Sequence, residues 1–317
     1  MNILKKNFIL LILIAIISSC SVSKPPIRIG VNSWPPCEIW YIAEKMGYFG
    51  HTPVEIIRFT SWTDNMSSLY SGLIDITHST YFNAIYFSDK GEEAQIILTS
   101  DTILGADGLV IKNYLEKGEN LRNKKIAVEV DTDEHFLLKK ALEKYGLREA
   151  DVTIIATTSI EAKDKFISGV VDACFTYEPF LSKAATEGDG KVIFSTKDLK
   201  GYMIDALVAK KNTIKKRKRD VISILAAWYK AQEYIKNNAQ EAFIIMGEKE
   251  GMDPKEFGDF YGSFTFFSPQ DNLEIFSSGS FKDKLREMND FLYLHKAIYE
   301  KVNIEEICNP TIIRRVK

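Results

Sequence analysis

Cysteine is scarce in this chain, four among 317 residues, at positions 20, 37, 174 and 308. No Cys-x-x-Cys pair and no Cys/His spacing of the zinc-holding kind occurs, so neither a disulfide-built nor a zinc-built scaffold is expected. With Cys20 set aside, Cys37, Cys174 and Cys308 form one disulfide at most. Histidine is equally sparse, with four residues. His78 and His135 fall at strand ends but lack ligand spacing, so no metal is assigned. Charge of one sign is also missing: 41 Lys+Arg stand against 43 Asp+Glu, for a net charge of −2, and nothing here points to nucleic acid. The one dense basic run, KKRKRD at 215–220, reads as a solvated helix entry. Past residue 20 no apolar run approaches the ~20 residues of a membrane helix. Cys37 precedes a helix start, where a thiol pKa can fall. No base lies near it in sequence, and no nucleophile–base pair converges elsewhere, so neither an enzyme nor a cofactor is expected.

What the chain does have begins at its start. Lys5 and Lys6 precede an apolar stretch, Phe8 to Ile17, that is short for a membrane span and is followed by Ser18-Ser19-Cys20. This resembles a bacterial lipoprotein signal. The resemblance implies that residues 1–19 are removed, that Cys20 carries the lipid, and that 20–26 form a short tether. Two acyl chains suffice for a stable membrane anchor. The body should then sit outside the cytoplasmic membrane, held by its lipid.

From Ile27 one unit recurs: a short apolar strand, a polar turn, then an amphipathic helix. Strands are expected at 27–31, 54–59, 73–76, 95–99, 108–112, 125–129, 152–156, 171–175 and 205–210. The first helix shows the logic. Ile39, Ile42, Ala43 and Met46 share a face, Pro36 lies near its start and Gly47 just past its end. Alternating strands and helices predict an α/β protein with parallel sheet and helices on both faces. Residues 215–300 read mostly helical, with helices near 239–249 and 283–300. In open α/β sheets ligands bind beyond the carboxyl ends of strands, and every turn of this unit lies at such an end. Trp34, in the turn SWPPC after the first strand, therefore either walls a ligand cleft or packs sideways on a core.

The segments GVNSWPPCEIWYIAEKMGYF, SGLIDITHSTYFNAI, GADGLVIK, NLRNKKIAVEVDTDEHFLLKKAL and SGVVDACFTYEPFLSKA resemble, in wording and order, the solute-binding proteins of ABC importers. The similar group is the one that takes nitrate, sulfonates, taurine and thiamine precursors. The resemblance spans about residues 27–300. It implies a two-lobed periplasmic binding protein fold of type II: two mixed sheets flanked by helices, joined by two crossing strands. Lobe one is expected at 27–110 plus 206–317 and lobe two at 111–205. It further implies a monomer that closes on its ligand by a hinge and presents the closed form to permease and ATPase subunits. A ligand sensor for a membrane signalling protein would use the same body.

The ligand must be read from the turns. Aromatic candidates are Trp34, Trp62, Tyr81 and Tyr177. Hydroxyl and amide candidates are Asn32, Ser33, Ser61, Thr63, Ser79, Thr80, Asn83, Thr132 and Thr157. The acids are Glu38, Asp64, Asp107, Asp133, Glu178 and Asp205. Lysine and arginine are nearly absent from these turns. Acids with aromatics suit a neutral or cationic amine or a nitrogen heterocycle. Helix N-termini, however, hold anions through backbone N–H groups alone, which keeps a sulfonate, taurine or nitrate ligand open. Glu38, Asp64 and Asp133 also have an ordinary reason to open helices, the dipole. The expected ligand set is Asn32, Trp34, Trp62, Thr63, Ser79, Thr80, Tyr81, Asp107, Thr132, Tyr177, Glu178 and Asp205.

Overall fold

The structure, a computed structural model, describes residues 24–88, 93–102, 104–199 and 203–316. The expected signal 1–19 and the lipidation site Cys20 lie outside the described residues. Strand β1 (Ile27–Val31) pairs in parallel with β2 (Val54–Arg58) and β3 (Ile76–Thr80). β11 (Asp205–Lys210) runs antiparallel between β3 and β4 (Ala94–Thr99). These five form one sheet in the order β2-β1-β3-β11-β4. The second sheet is β10-β6-β9-β7-β8, made of β6 (Asp107–Lys112), β7 (Lys125–Val128), β8 (Thr153–Ala156), β9 (Ala173–Tyr177) and β10 (Gly190–Ser195). Here β6 is the antiparallel member, between β9 and β10. A short ribbon joins β5 (Asp101–Thr102) to β12 (Thr265–Phe266).

Both sheets are thus mixed. Alternation alone predicts parallel neighbours, and the departure has one cause: β6 and β11 are the strands by which the chain enters the second sheet and returns to the first. The whole of β6 pairs within the second sheet, so the expected boundary at 110/111 falls inside a strand. Two other expected strands slide. The apolar run at 73–76 drew the third strand too early, for Leu73 is exposed while the polar Thr77-His78-Ser79 of β3 is fully buried. The strand expected at 171–175 lies at Ala173–Tyr177. β10 was not foreseen. It is the edge strand of its sheet, and Val192 points to solvent, which breaks the apolar run.

The buried polar strand is affordable because its groups are paired. Thr77 Oγ1 donates to Asn65 Oδ1 at 2.7 Å, Asn65 Nδ2 to Asn32 Oδ1 at 2.6 Å, and Asn32 Nδ2 to the Phe59 carbonyl at 3.2 Å. This ladder ties β3, the helix Trp62–Tyr70 and the turn after β1 beneath the site. Around it the core is apolar: Trp40 and Trp228, both fully buried, meet at 4.8 Å and pin the helix Lys218–Asn237 to the helix Ile39–Lys45. In the basic run, Arg217 Nε pairs with Asp220 at 2.6 Å and Nη1 donates to the Pro25 carbonyl at 2.7 Å, while Lys24 also reaches Asp220. Lys215, Lys216 and Arg219 are exposed. The run therefore clasps the start of the body. Cys37, Cys174 and Cys308 are all free thiols.

Candidate ligand site

The two antiparallel strands bring their first residues to the same edge as the last residues of the parallel strands. In register, Asp205 of β11 faces Thr80 of β3, and Asp107 of β6 faces Tyr177 of β9. Each sheet thereby presents an aspartate beside a hydroxyl at its rim. Between the rims lies a small cavity, about 30 Å³ in volume. Its walls are Trp34, Trp62, Thr80, Thr102, Met203 and Asp205 from the first sheet's side, and Asp107, Asp133, Glu134 and Tyr177 from the second.

The aromatic wall is locked. Trp34 Nε1 donates to Asp205 Oδ2 at 2.7 Å. Its ring meets Tyr177 edge-on at 5.4 Å and Phe264 at 5.1 Å. The Tyr177 hydroxyl donates to the Ser33 carbonyl at 3.2 Å, which joins the two sides. The strongest junction between them is Glu129, buried at the end of β7. Its Oε1 accepts from Ser61 Oγ (2.9 Å) and Thr63 N (3.0 Å) on the first side. Its Oε2 accepts from Ser159 Oγ (3.0 Å) and Ser159 N (3.3 Å) on the second. Phe136, on the second side, packs against a tilted Phe82 at 4.8 Å and meets Phe291 edge-on at 4.5 Å. The two sides are closed on each other.

The charge is all of one sign. Four carboxyl groups line the cavity, and no lysine or arginine does so among the described residues. Arg58 at the end of β2 is near but consumed: it pairs with the buried Glu38 and lies 3.6 Å from Glu250, which in turn accepts from Ser33 Oγ at 2.6 Å. Crowded acids away from water hold their protons. Burial pushes Asp133 up to about 6, with the Thr80 hydroxyl and two backbone N–H groups opposing. Burial, reinforced by Glu129, raises Glu134 well above the usual range. Burial, then Asp133 and Asp205, raises Asp107. Burial and the neighbouring Asp101 raise Asp205. Geometry agrees for Glu134. Ser159 Oγ stands 2.6 Å from Glu134 Oε1 as well as 3.0 Å from Glu129, and a hydroxyl has one hydrogen to give.

Six of the expected residues line the cavity: Trp34, Trp62, Thr80, Asp107, Tyr177 and Asp205. The others lie elsewhere. Asn32 belongs to the buried ladder below, Ser79 accepts from Asn83 Nδ2 at 3.2 Å, and Tyr81 is in the core with its hydroxyl on Thr99. Thr63 and Thr132 serve the junction, Thr132 Oγ1 donating to the Glu129 carbonyl at 2.7 Å. Glu178 turns away: its carboxylate accepts from Ser182 N and Oγ at 3.1 and 2.6 Å and faces a separate outer groove. Glu129, Glu134, Thr102 and Met203 went unread. For the two glutamates a signal existed, an acid closing the strand KIAVE and another in the turn VDTDE. His135 lies 3.5 Å from Glu149, away from the cavity.

Two mixed α/β sheets closed over a cavity at their strand ends make this a periplasmic binding protein fold. The alkanesulfonate-binding protein of Xanthomonas axonopodis pv. citri, solved with MOPS bound, superposes with a TM-score of 0.74 at 15% identity, covering 90% of this chain and 98% of that one. The periplasmic aliphatic sulphonate-binding protein of Escherichia coli does so at 0.72 and 17%, covering 92% and 100%. In sequence, a protein of Bacillus subtilis (strain 168) described as an aliphatic sulfonates-binding protein is 24% identical over 298 residues, 91% of this chain and 87% of the relative. The chain belongs to the NMT1-like family, whose profile matches residues 21–246.

Proposed function

We propose that the protein is an extracytoplasmic solute-binding protein that captures a small amine or nitrogen heterocycle, cationic or neutral, and delivers it to the permease and ATPase subunits of an ABC importer. The observation that carries the choice of ligand is a closed cavity with four carboxyl groups, an aromatic wall and, among the described residues, no basic side chain. A cation entering there meets the charge that burial makes unfavourable, and Trp34, Trp62 and Tyr177 offer it ring faces worth about 0.5–2 kcal/mol each. The two lobes would be the two sheets with their helices, joined by the two chain crossings at β6 and β11. Ligand contacts made by both lobes exist only when closed, so the ligand shifts the population towards that form. A lipid on Cys20 would hold the body at the membrane. The reading involves no turnover of the ligand.

A second reading follows from the relatives' names and from the held protons: protonated carboxyls can donate to a sulfonate. Thermal melting of the protein with diamines, guanidines, aminopyrimidines, choline, taurine, alkylsulfonates and nitrate separates the two. A ligand at 100 times its Kd adds about 2.7 kcal/mol. Amines or heterocycles are expected to raise the melting temperature. Stabilisation by sulfonates or nitrate alone would overturn the cation reading in favour of the second.

A further inference from the structure

We infer that His78, Asp101 and Asp205 form a divalent-metal site behind the ligand cavity, suited to a first-row transition ion such as Mn2+ or Zn2+. The three side chains come from two neighbouring strands of the first sheet and from the short β5 that follows β4. His78 is central in β3, Asp101 starts β5, and Asp205 starts β11. One ligand atom from each lies within 4.8 Å of the others, and His78 Nε2 stands 3.5 Å from Asp101 Oδ1. Atoms bound to one ion at about 2.1 Å are roughly 3–4.2 Å apart, so the set needs a contraction of a few tenths of an ångström.

The independent observation is Asp101. It is completely buried, and neither of its oxygens has a donor at full hydrogen-bond geometry, its polar neighbours being Asp205, Ser100 and Trp34. A buried carboxyl so weakly paired is expensive, and an ion is one of the few things that offsets it. His78 is equally buried, with its ring 5.3 Å from Trp228, and its Nε2 lies 2.8 Å from Ser100 Oγ, a contact that an ion on Nε2 would replace. Asp205 has Oδ2 engaged by Trp34, which leaves Oδ1. Because Asp205 also lines the cavity, the ion's remaining positions face the space where water or a ligand donor sits. One imidazole with two carboxylates suits Mn2+, Fe2+ or Zn2+ better than Ca2+. The site shares Asp205 with the cavity, but His78 and Asp101 do not line it, so changes at those two test the metal apart from the amine.

The test is calorimetric titration of chelator-treated protein with MnCl2 and with ZnCl2. One ion per chain is expected, with Asp101→Asn and His78→Gln each lowering affinity by about 100-fold and leaving the affinity for any amine within a few-fold. Pulsed EPR of the Mn2+-loaded unaltered protein should show coupling to one imidazole nitrogen; this decides the matter if the variants fail to fold. Absence of binding at about 1 mM metal, unaltered affinity in both variants, or an EPR spectrum without nitrogen coupling would overturn the site. Loss of metal in Asp133→Asn but not in Asp101→Asn would move the ion into the cavity and overturn it too.

Discussion

At the scale of single residues, Glu129 carries more of the closed form than any group that lines the cavity. Its two oxygens take four hydrogen bonds, two from each side of the cleft. Opening the cleft breaks one set and leaves the other. Glu129→Gln turns one acceptor into an NH2 that faces donors, at a cost of about 1–3 kcal/mol. The expected result is a 10- to 100-fold weaker affinity for the best amine of the panel, read by calorimetry, with a smaller change in melting temperature. Ligand affinity equal to the unaltered protein's would remove Glu129 from closure. The residue scale is also where the sequence was hardest to read. Asp107 and Asp205 were legible as acids at the starts of the strands expected at 108–112 and 205–210. Asp133 and Glu134 open a helix, where acids are common for the dipole alone, and nothing in the sequence tells such an acid from a cavity wall. Glu178 had the right address, a strand end beside Tyr177. Ser182, one helical turn on, offers its N–H and hydroxyl and draws the carboxylate away.

At the scale of elements, the positions of most strands were legible because their apolar residues are also their buried ones. β3 was displaced because that link fails there: its buried residues include Thr, His and Ser, satisfied by side-chain partners outside the strand. That dependence makes the element fragile in a definable way. A Cβ on Gly30 in β1 would lie 2.2 Å from Asn65 Oδ1 and 2.5 Å from Ile74 Cδ1. Gly30→Ala must therefore push Asn65 out of the ladder that pairs Thr77 and Asn32. A loss of about 2–4 kcal/mol is expected, from overpacking together with unpaired buried groups, measured by denaturant unfolding. Gly47, with φ +67 and open space around it, is strained by a side chain for conformational reasons alone and should lose less, about 1 kcal/mol. Equal losses at the two positions would show that the ladder is not what Gly30 protects.

At the scale of the whole molecule, ligand charge and pH are linked, and the sign separates the two readings of the cavity. Asp133 is held up to about 6 by burial. It is faced by Glu129 and Glu134 of its own lobe and by Asp107, with the Thr80 hydroxyl of the opposite side against it. A carboxyl raised in the folded state binds more protons than its unfolded counterpart between about 4 and 6. Its contribution to stability is therefore full below that window and lost as pH rises through it, on the order of 2–3 kcal/mol for Asp133. A bound cation favours the ionised form, so its binding expels this proton. Amine affinity should tighten by up to about tenfold per pH unit below pH 6 and level off above. Calorimetry in two buffers of different ionisation enthalpy should show proton release on binding near pH 5.5. In Asp133→Asn the affinity should be weaker and its pH dependence flatter. An anion held by the protonated acids has the opposite sign, with proton uptake and affinity falling as pH rises. Uptake in the unaltered protein would thus exchange the cation reading for the anion one, while the two sheets, their closed cleft and the family stay as they are.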